Sequence, residues 1–379
     1  MANKIKFLDL TKQYESIKKE ISTAIKKVFE SGVFIGGEKV EELEKEIANF
    51  CGTKYAIGVN SGTDALFLSL KSLGIGTGDE IITTPFTFIA TAEVITACGA
   101  KPVFVDINLQ AFNINPKEIE EKITKNTKAI IPVHLFGQMA DMPEITKIAR
   151  KYKLFVIEDT AQAIGAKLKV EGRKLKVAGS IGDIGCLSFF PTKNLGAYGD
   201  GGMILTNNKK LADKIRLLKN HGSSSKEKYL NIVPGVNSRL DTLQAAILRV
   251  KLKHLKNWTI ERQKIAEYYN QKLSKVGDIV TPEILVDRTH IFHQYTITTK
   301  YREKLQNYLK EKGIPAMIYY PLPLHLQPAF KYLGYKKGDF PKAEKAAKEV
   351  LSLPIYPELS GKNQDFIIKT IKKFYERQN

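Results

Sequence analysis

The sequence predicts an α/β fold: a mainly parallel sheet covered by helices, followed by a smaller C-terminal α/β domain. Seven short apolar runs of strand length stand at 55–59, 80–84, 102–106, 129–134, 154–158, 186–189 and 203–206. Helical patterns separate most of them, and parallel strands need such crossovers. A chain of 379 residues also exceeds one ordinary core, which divides it into a large domain over 1–250 and a small one over 251–379.

The first run turns, through Gly58-Val59-Asn60-Ser61-Gly62-Thr63-Asp64-Ala65-Leu66, into an apolar-periodic helix that continues to about Leu73. Small residues at a helix start expose backbone N–H groups, which with the positive end of the helix dipole suit a dianionic phosphate; the Thr63 hydroxyl can add a hydrogen bond. Asn60 or Ser61 can equally cap the helix, and the two roles are compatible.

Leu154-Phe155-Val156-Ile157 reads as a central parallel strand, with Asp159 at its C-terminal end. Taken alone, Asp159 is a candidate helix N-cap. A second buried run, Cys186-Leu187-Ser188-Phe189-Phe190, ends in Pro191-Thr192-Lys193-Asn194-Leu195-Gly196 and puts an amine at another strand end, where open α/β sheets bind ligands. An amine there can form a Schiff base with an aldehyde cofactor. Pyridoxal phosphate also needs a carboxylate against its pyridine nitrogen, and Asp159 is the candidate.

After Leu240 a helical pattern runs through about Leu273, with the domain boundary placed within it near Lys251. The N-terminal segment is expected to pack beside one of the domains. A strand-like stretch at 293–298, a helix around 303–312 and a Pro-rich loop at 319–327 follow.

Taken in order, these motifs resemble the pyridoxal-phosphate nucleotide-sugar aminotransferases of the DegT/DnrJ/StrS family, of the type that aminates 3-keto sugars. The resemblance extends from Phe7-Leu8-Asp9-Leu10 to Leu353-Pro354-Ile355-Tyr356-Pro357 and includes Thr87-Phe88-Ile89-Ala90-Thr91, Gly199-Asp200-Gly201-Gly202 and Asn237-Ser238-Arg239-Leu240-Asp241. It implies the aspartate-aminotransferase fold (type I) with a seven-stranded mixed sheet. It implies Lys193 as the Schiff-base and acid–base lysine, Asp159 as the pyridinium partner, Gln162 near the cofactor's 3-oxygen and Phe88 stacked on the pyridine. Gly62, Thr63 and Ser188 match phosphate-binding positions, and Asn237 matches a residue delivered by the other subunit of a homodimer. Lys193 has not become His, the change that marks the family's dehydrating relatives.

The implied reaction moves an amino group from L-glutamate to a keto hexose on UDP or dTDP, at C3 with C4 as the runner-up. Arg239 is a candidate for the diphosphate or a sugar carboxylate, which its planar fork can grip with two hydrogen bonds. Tyr320 and His325 are candidates to line the hexose pocket, or to pack.

Composition excludes several other classes. The start, Met1-Ala2-Asn3-Lys4-Ile5-Lys6, lacks an apolar leader core, and no run approaches the roughly 18 apolar residues of a membrane span, so a cytoplasmic enzyme is expected. Cys51, Cys98 and Cys186 are too far apart for a disulfide framework or a zinc site and read as packed thiols, and the six histidines show no metal pattern. The net charge of +19 raises nucleic-acid binding, but lysines alternate with glutamates in helical stretches such as 38–45 and 342–349, as on solvated helix faces. A sugar dehydratase of the same fold, a non-enzymatic regulator and an aminotransferase for amino acids alone are the remaining readings.

Overall fold

The computed structural model describes residues 5–170, 174–224, 227 and 229–378; of the stretch read for a leader, residues 1–4 lie outside the described residues. Helices α1 (Leu10–Ser31) and α2 (Glu38–Cys51) precede β1 (Tyr55–Val59), α3 (Gly62–Ser72), β2 (Glu80–Thr83), α4 (Ala90–Ala97) and β3 (Lys101–Phe104). Next come β4 (Thr127–Ile130), α5 (Met142–Tyr152), β5 (Phe155–Asp159) and a two-stranded ribbon, β6 (Lys167–Lys169) with β7 (Leu175–Val177). Strands β8 (Ile184–Ser188) and β9 (Gly202–Thr206) lead to α6 (Lys209–Leu218). The long α7 (Thr242–Leu273) then joins this body to β10 (Tyr295–Thr298), α8 (Arg302–Glu311), α9 (Pro341–Glu349), β11 (Val350–Leu353) and α10 (Gly361–Glu376).

Seven strands form one sheet in the order β1-β9-β8-β5-β4-β2-β3, the seven-stranded mixed sheet that the resemblance implies. Within it β9 runs antiparallel to both β1 and β8, and the other pairings are parallel. Successive antiparallel strands need no crossover, so the connection from β8 to β9 returns to the edge it left; it is this connection that carries Lys193. All seven apolar runs contain sheet strands, but the fourth, read as 129–134, is strand only to Ile130. Beyond it the chain still grips β5, because the Asp159 N–H donates to the Pro132 carbonyl at 2.9 Å and the His134 N–H to the Asp159 carbonyl at 3.0 Å.

Register gathers the strand ends. Val59 and Ser188 both pair with Gly202, and Asp159 pairs with Cys186, so β1, β8 and β5 end on one edge. Burial on both faces fits the apolar reading of these strands: four of the five β5 residues are buried and all of β9 is. The three cysteines are free and buried, and burial pushes the thiols of Cys51 and Cys98 up to about 12 and about 11.

Helix α7 serves two cores. Leu248 and Leu255 pack with Leu43, Ile47 and Leu205 against the sheet, whereas Ile265, Ala266, Tyr269 and Leu273 join Ile297, Leu351 and Ile371 in a second core that also takes Ile5. Helix α1 lies on α7 through Ile17, Ile21, Ile247, Val250 and Trp258. A third cluster, with Phe86, Phe104 and Phe136 on one side and Leu324, Phe330 and Phe340 on the other, carries the 319–327 loop to the sheet edge. The Leu324 N–H fastens it there by donating to the Pro85 carbonyl at 2.7 Å.

Candidate active site

Asp159 closes β5 and is only 5% exposed. Its Oδ2 accepts from Thr91 Oγ1 at 2.8 Å, and its Oδ1 from the Ala161 N–H at 3.2 Å. No helix follows it, so it caps none. Burial pushes its carboxyl above the usual range, against the pull of Thr91, Ala161 and Lys193. A cationic partner at this edge would restore the ionised form.

The preceding residue, Glu158, is fully buried but amply paired: it accepts from His134 Nε2 at 2.8 Å and from the N–H groups of Gly179, Ile181 and Gly182 at 2.9, 2.7 and 2.7 Å. Because His134 Nδ1 accepts from the Ala140 N–H at 3.1 Å, the imidazole proton sits on Nε2, facing the carboxylate. Burial works against the charge, yet His134 and the peptide donors hold the Glu158 pKa below its ordinary value. Glu158 is thus a rigid peg that fixes the strand end from which Asp159 projects.

Lys193 stands in a tight turn. Its N–H donates to the Phe190 carbonyl at 2.8 Å and the Ala197 N–H to the Phe189 carbonyl at 2.7 Å, while a Cβ on Gly196 would lie 2.2 Å from the Pro191 carbonyl oxygen. Asn194 ties the turn to the C-terminal part, donating to the Ile291 carbonyl at 3.2 Å and meeting His293 Nδ1 at 3.1 Å. Burial lowers the Lys193 pKa to about 8, with Asp159 pulling the other way. Among the described residues its Nζ has no hydrogen-bonding partner.

The start of α3 lies against the end of β8. A Cβ on Gly62 would come within 2.7 Å of Ser188 Cβ, and one on Gly202 within 2.2 Å of the Ser61 carbonyl oxygen, so both glycines are needed for this approach. Ser61 caps the helix by accepting from the Asp64 N–H at 3.0 Å, and the partly exposed Thr63 follows in the first turn. Ser188 Oγ accepts from the Phe190 N–H at 3.3 Å. Ser238 Oγ donates to Asp64 Oδ2 at 2.7 Å and accepts from the Asn60 N–H at 3.2 Å, which draws the 237–239 segment to the same helix start. Asn237 itself is exposed and lies before α7, whose cap is Asp241. Arg239 Nη1 donates to Asn220 Oδ1 at 3.3 Å, and its buried Nε has no partner.

Around the opening, Gln162 accepts from the Phe136 N–H at 2.8 Å and donates to the Tyr320 hydroxyl at 3.1 Å. The Phe88 ring, 56% exposed, lies 6.3 Å from that of Tyr320. His325 turns inward: it is 1% exposed, pairs with Glu344 Oε1 at 3.1 Å and meets the Phe340 ring at 4.7 Å, holding the loop behind Tyr320. Thr91, His134 and Glu158 were not among the residues singled out from the sequence. A charged residue closing an apolar strand was the available signal for Glu158, and the Thr87/Thr91 spacing of one helical turn for Thr91.

The chain matches the DegT/DnrJ/EryC1/StrS aminotransferase family over residues 15–372. It is 53% identical to the "pleiotropic regulatory protein" of Geobacillus stearothermophilus, with 98% of each chain covered. It is 46% identical to the UDP-2-acetamido-2-deoxy-3-oxo-D-glucuronate aminotransferase of Pseudomonas aeruginosa, covering 94% of this chain and 96% of that one. The structure of S. venezuelae DesV in complex with a ketimine intermediate superposes with a TM-score of 0.94 at 39% identity over 99% of both chains.

Proposed function

The chain belongs to the DegT/DnrJ/EryC1/StrS aminotransferase family, and from that premise we propose that it transfers an amino group from L-glutamate to C3 of a 3-keto hexose carried on UDP or dTDP. It is a pyridoxal-phosphate enzyme of fold type I. The residues at the sheet edge fit that cofactor. Lys193 offers an unpartnered amine, Asp159 a buried carboxylate short of a cation, and the Gly62–Ser188 contact a helix start at which a side chain would fill the cradle.

The observation that carries the reading is the pairing of Lys193 with Asp159 on one edge, each shifted by burial and each opposing the other's shift. Asp159 would hold the proton on the pyridine nitrogen, with Thr91 fixing the carboxylate. Gly62, Thr63 and Ser188 would bind the phosphate, joined by Asn237 from the second subunit of a homodimer. Gln162 and Phe88 would orient the ring. When bound, the cofactor supplies the aldehyde that captures the amino group and the electron sink that lets the donor's α-carbon release its proton. Lys193 Nζ takes that proton and gives it back, and a pKa of about 8 suits an amine that must do both near neutral pH. Arg239 would grip the diphosphate or a sugar carboxylate, and Tyr320 would face the hexose. C3 is favoured because the 46% identical relative is named for a 3-oxo sugar on UDP.

The test is to incubate the enzyme and glutamate with matched 3-keto and 4-keto UDP- and dTDP-hexoses and locate the new C–N bond by NMR. Amination at C3 is expected. Amination confined to C4 would move the regiochemistry, and amination of keto acids alone would refute the sugar reading.

A further inference from the structure

Lysine is almost never fully buried unless paired, yet Lys251 on α7 is 1% exposed. Its Nζ donates to the Gly196 carbonyl and stands 4.9 Å from the Tyr198 ring centroid. Both acceptors belong to the turn that carries Lys193, and Gln244, also on α7, accepts from the Tyr198 N–H at 2.8 Å. Glu358 is the acid that acts on Lys251, and it forms no ion pair with it. A buried ammonium without a carboxylate partner carries a desolvation cost, so its bond to the Gly196 carbonyl is the contact that offsets it.

We propose that Lys251 is a positioning residue: through Gly196 it fixes the main chain of the turn and so sets where the Lys193 amine stands. The Gly196 carbonyl lies three residues beyond Lys193, in a turn so tight that no side chain fits at 196. Holding that carbonyl from the rigid α7 keeps the turn closed while the Lys193 side chain is free to move. The inference rests on Lys193 being the reactive amine, but its test does not require turnover.

In cofactor-free protein, the pH dependence of reductive methylation of Lys193 by formaldehyde is followed by peptide mass spectrometry, beside thermal unfolding. Lys251→Met, close in size and uncharged, should fold with a somewhat lower unfolding temperature, because it leaves the buried Gly196 carbonyl without a donor. Its Lys193 midpoint should rise from about 8 by about one unit, leaving about tenfold less neutral amine at pH 7. Lys251→Arg, which keeps a charged donor, should keep the wild-type midpoint. An unchanged midpoint in folded Lys251→Met, an equal rise in Lys251→Arg, or failure of Lys251→Met to fold would each overturn the proposal. Borohydride trapping of the cofactor on a lysine other than Lys193 in the wild type would instead sink the functional reading.

Discussion

Replacing Thr91 by valine keeps the shape of the side chain and removes one hydroxyl, the donor 2.8 Å from Asp159 Oδ2. Burial already pushes the Asp159 carboxyl upward, and of the groups that oppose it one is Thr91, one is the Ala161 N–H at 3.2 Å and one is the Lys193 ammonium. A hydrogen bond to an ionised group contributes about 1.5–3 kcal/mol, which corresponds to a rise of about one to two pKa units on its loss. Only the ionised carboxylate can pair with a pyridinium, so affinity for pyridoxal phosphate should fall, by up to about tenfold to a hundredfold where the pH is low enough that Asp159 is mostly protonated. The loss should deepen as the pH is lowered, because protonated Asp159 then becomes the prevailing form. Equilibrium titration of cofactor-free protein, read by the visible absorbance of bound cofactor at neutral and mildly acid pH, measures this; Thr91→Ser should behave as wild type. A Thr91→Val variant with wild-type affinity and the same pH dependence would refute the assignment of Thr91 and weaken that of Asp159.

Three further outcomes follow from the same geometry. Because the folded-state pKa of Asp159 is raised, cofactor-free protein loses stability as pH climbs from 3.8 through that raised value; Asp159→Asn should therefore melt no lower than wild type without cofactor at neutral pH while losing most turnover, and a much lower melting temperature would contradict the unpaired-carboxylate picture. Gly62→Ala puts a methyl 2.7 Å from Ser188 Cβ, a clash of the kind that costs about 1–3 kcal/mol, and should weaken cofactor binding as measured by the same titration; wild-type affinity would mean that the phosphate sits elsewhere. Mixing inactive Lys193→Ala and Asn237→Ala proteins should restore part of the activity if subunits share sites, and no recovery after verified subunit exchange would count against sharing.

The strands were legible because burial on both faces leaves a continuous apolar run, and the Lys193 and Asp159 positions because each follows such a run directly. What was not legible lies at long sequence separation. Thr91 and Asp159 are 68 residues apart, and Lys251 and Gly196 are 55 apart, so no local pattern pairs them. The end of the fourth run was misread for a related reason: Pro132 and His134 leave the ladder with β2 yet still exchange hydrogen bonds with Asp159, so apolar character outlasts the regular strand. His325 shows a case in which residue type left two readings open, pocket or packing: its ring is buried against Phe340, with Nε2 on Glu344 and Nδ1 without a partner.

The 53% identical relative bears a regulator's name, and a charge of +19 invites a nucleic-acid reading of this chain as well. Two physical arguments weigh against making that its main activity. Affinity for a polyanion depends on cations gathered on one surface that displace counterions, whereas acids are interspersed among the cations on these helix faces, as in Lys39–Glu42 at 2.8 Å, Lys209–Asp213 at 2.7 Å, Lys264–Glu261 at 2.7 Å and Arg249–Glu46 at 2.6 Å. A regulator, moreover, has no need of an amine lowered to about 8 beside a carboxyl raised by burial, an arrangement that makes it harder to charge either group in the absence of a ligand. A cationic ring placed between them would relieve the carboxylate, and an aldehyde would consume the amine. An aminotransferase uses both groups in these states.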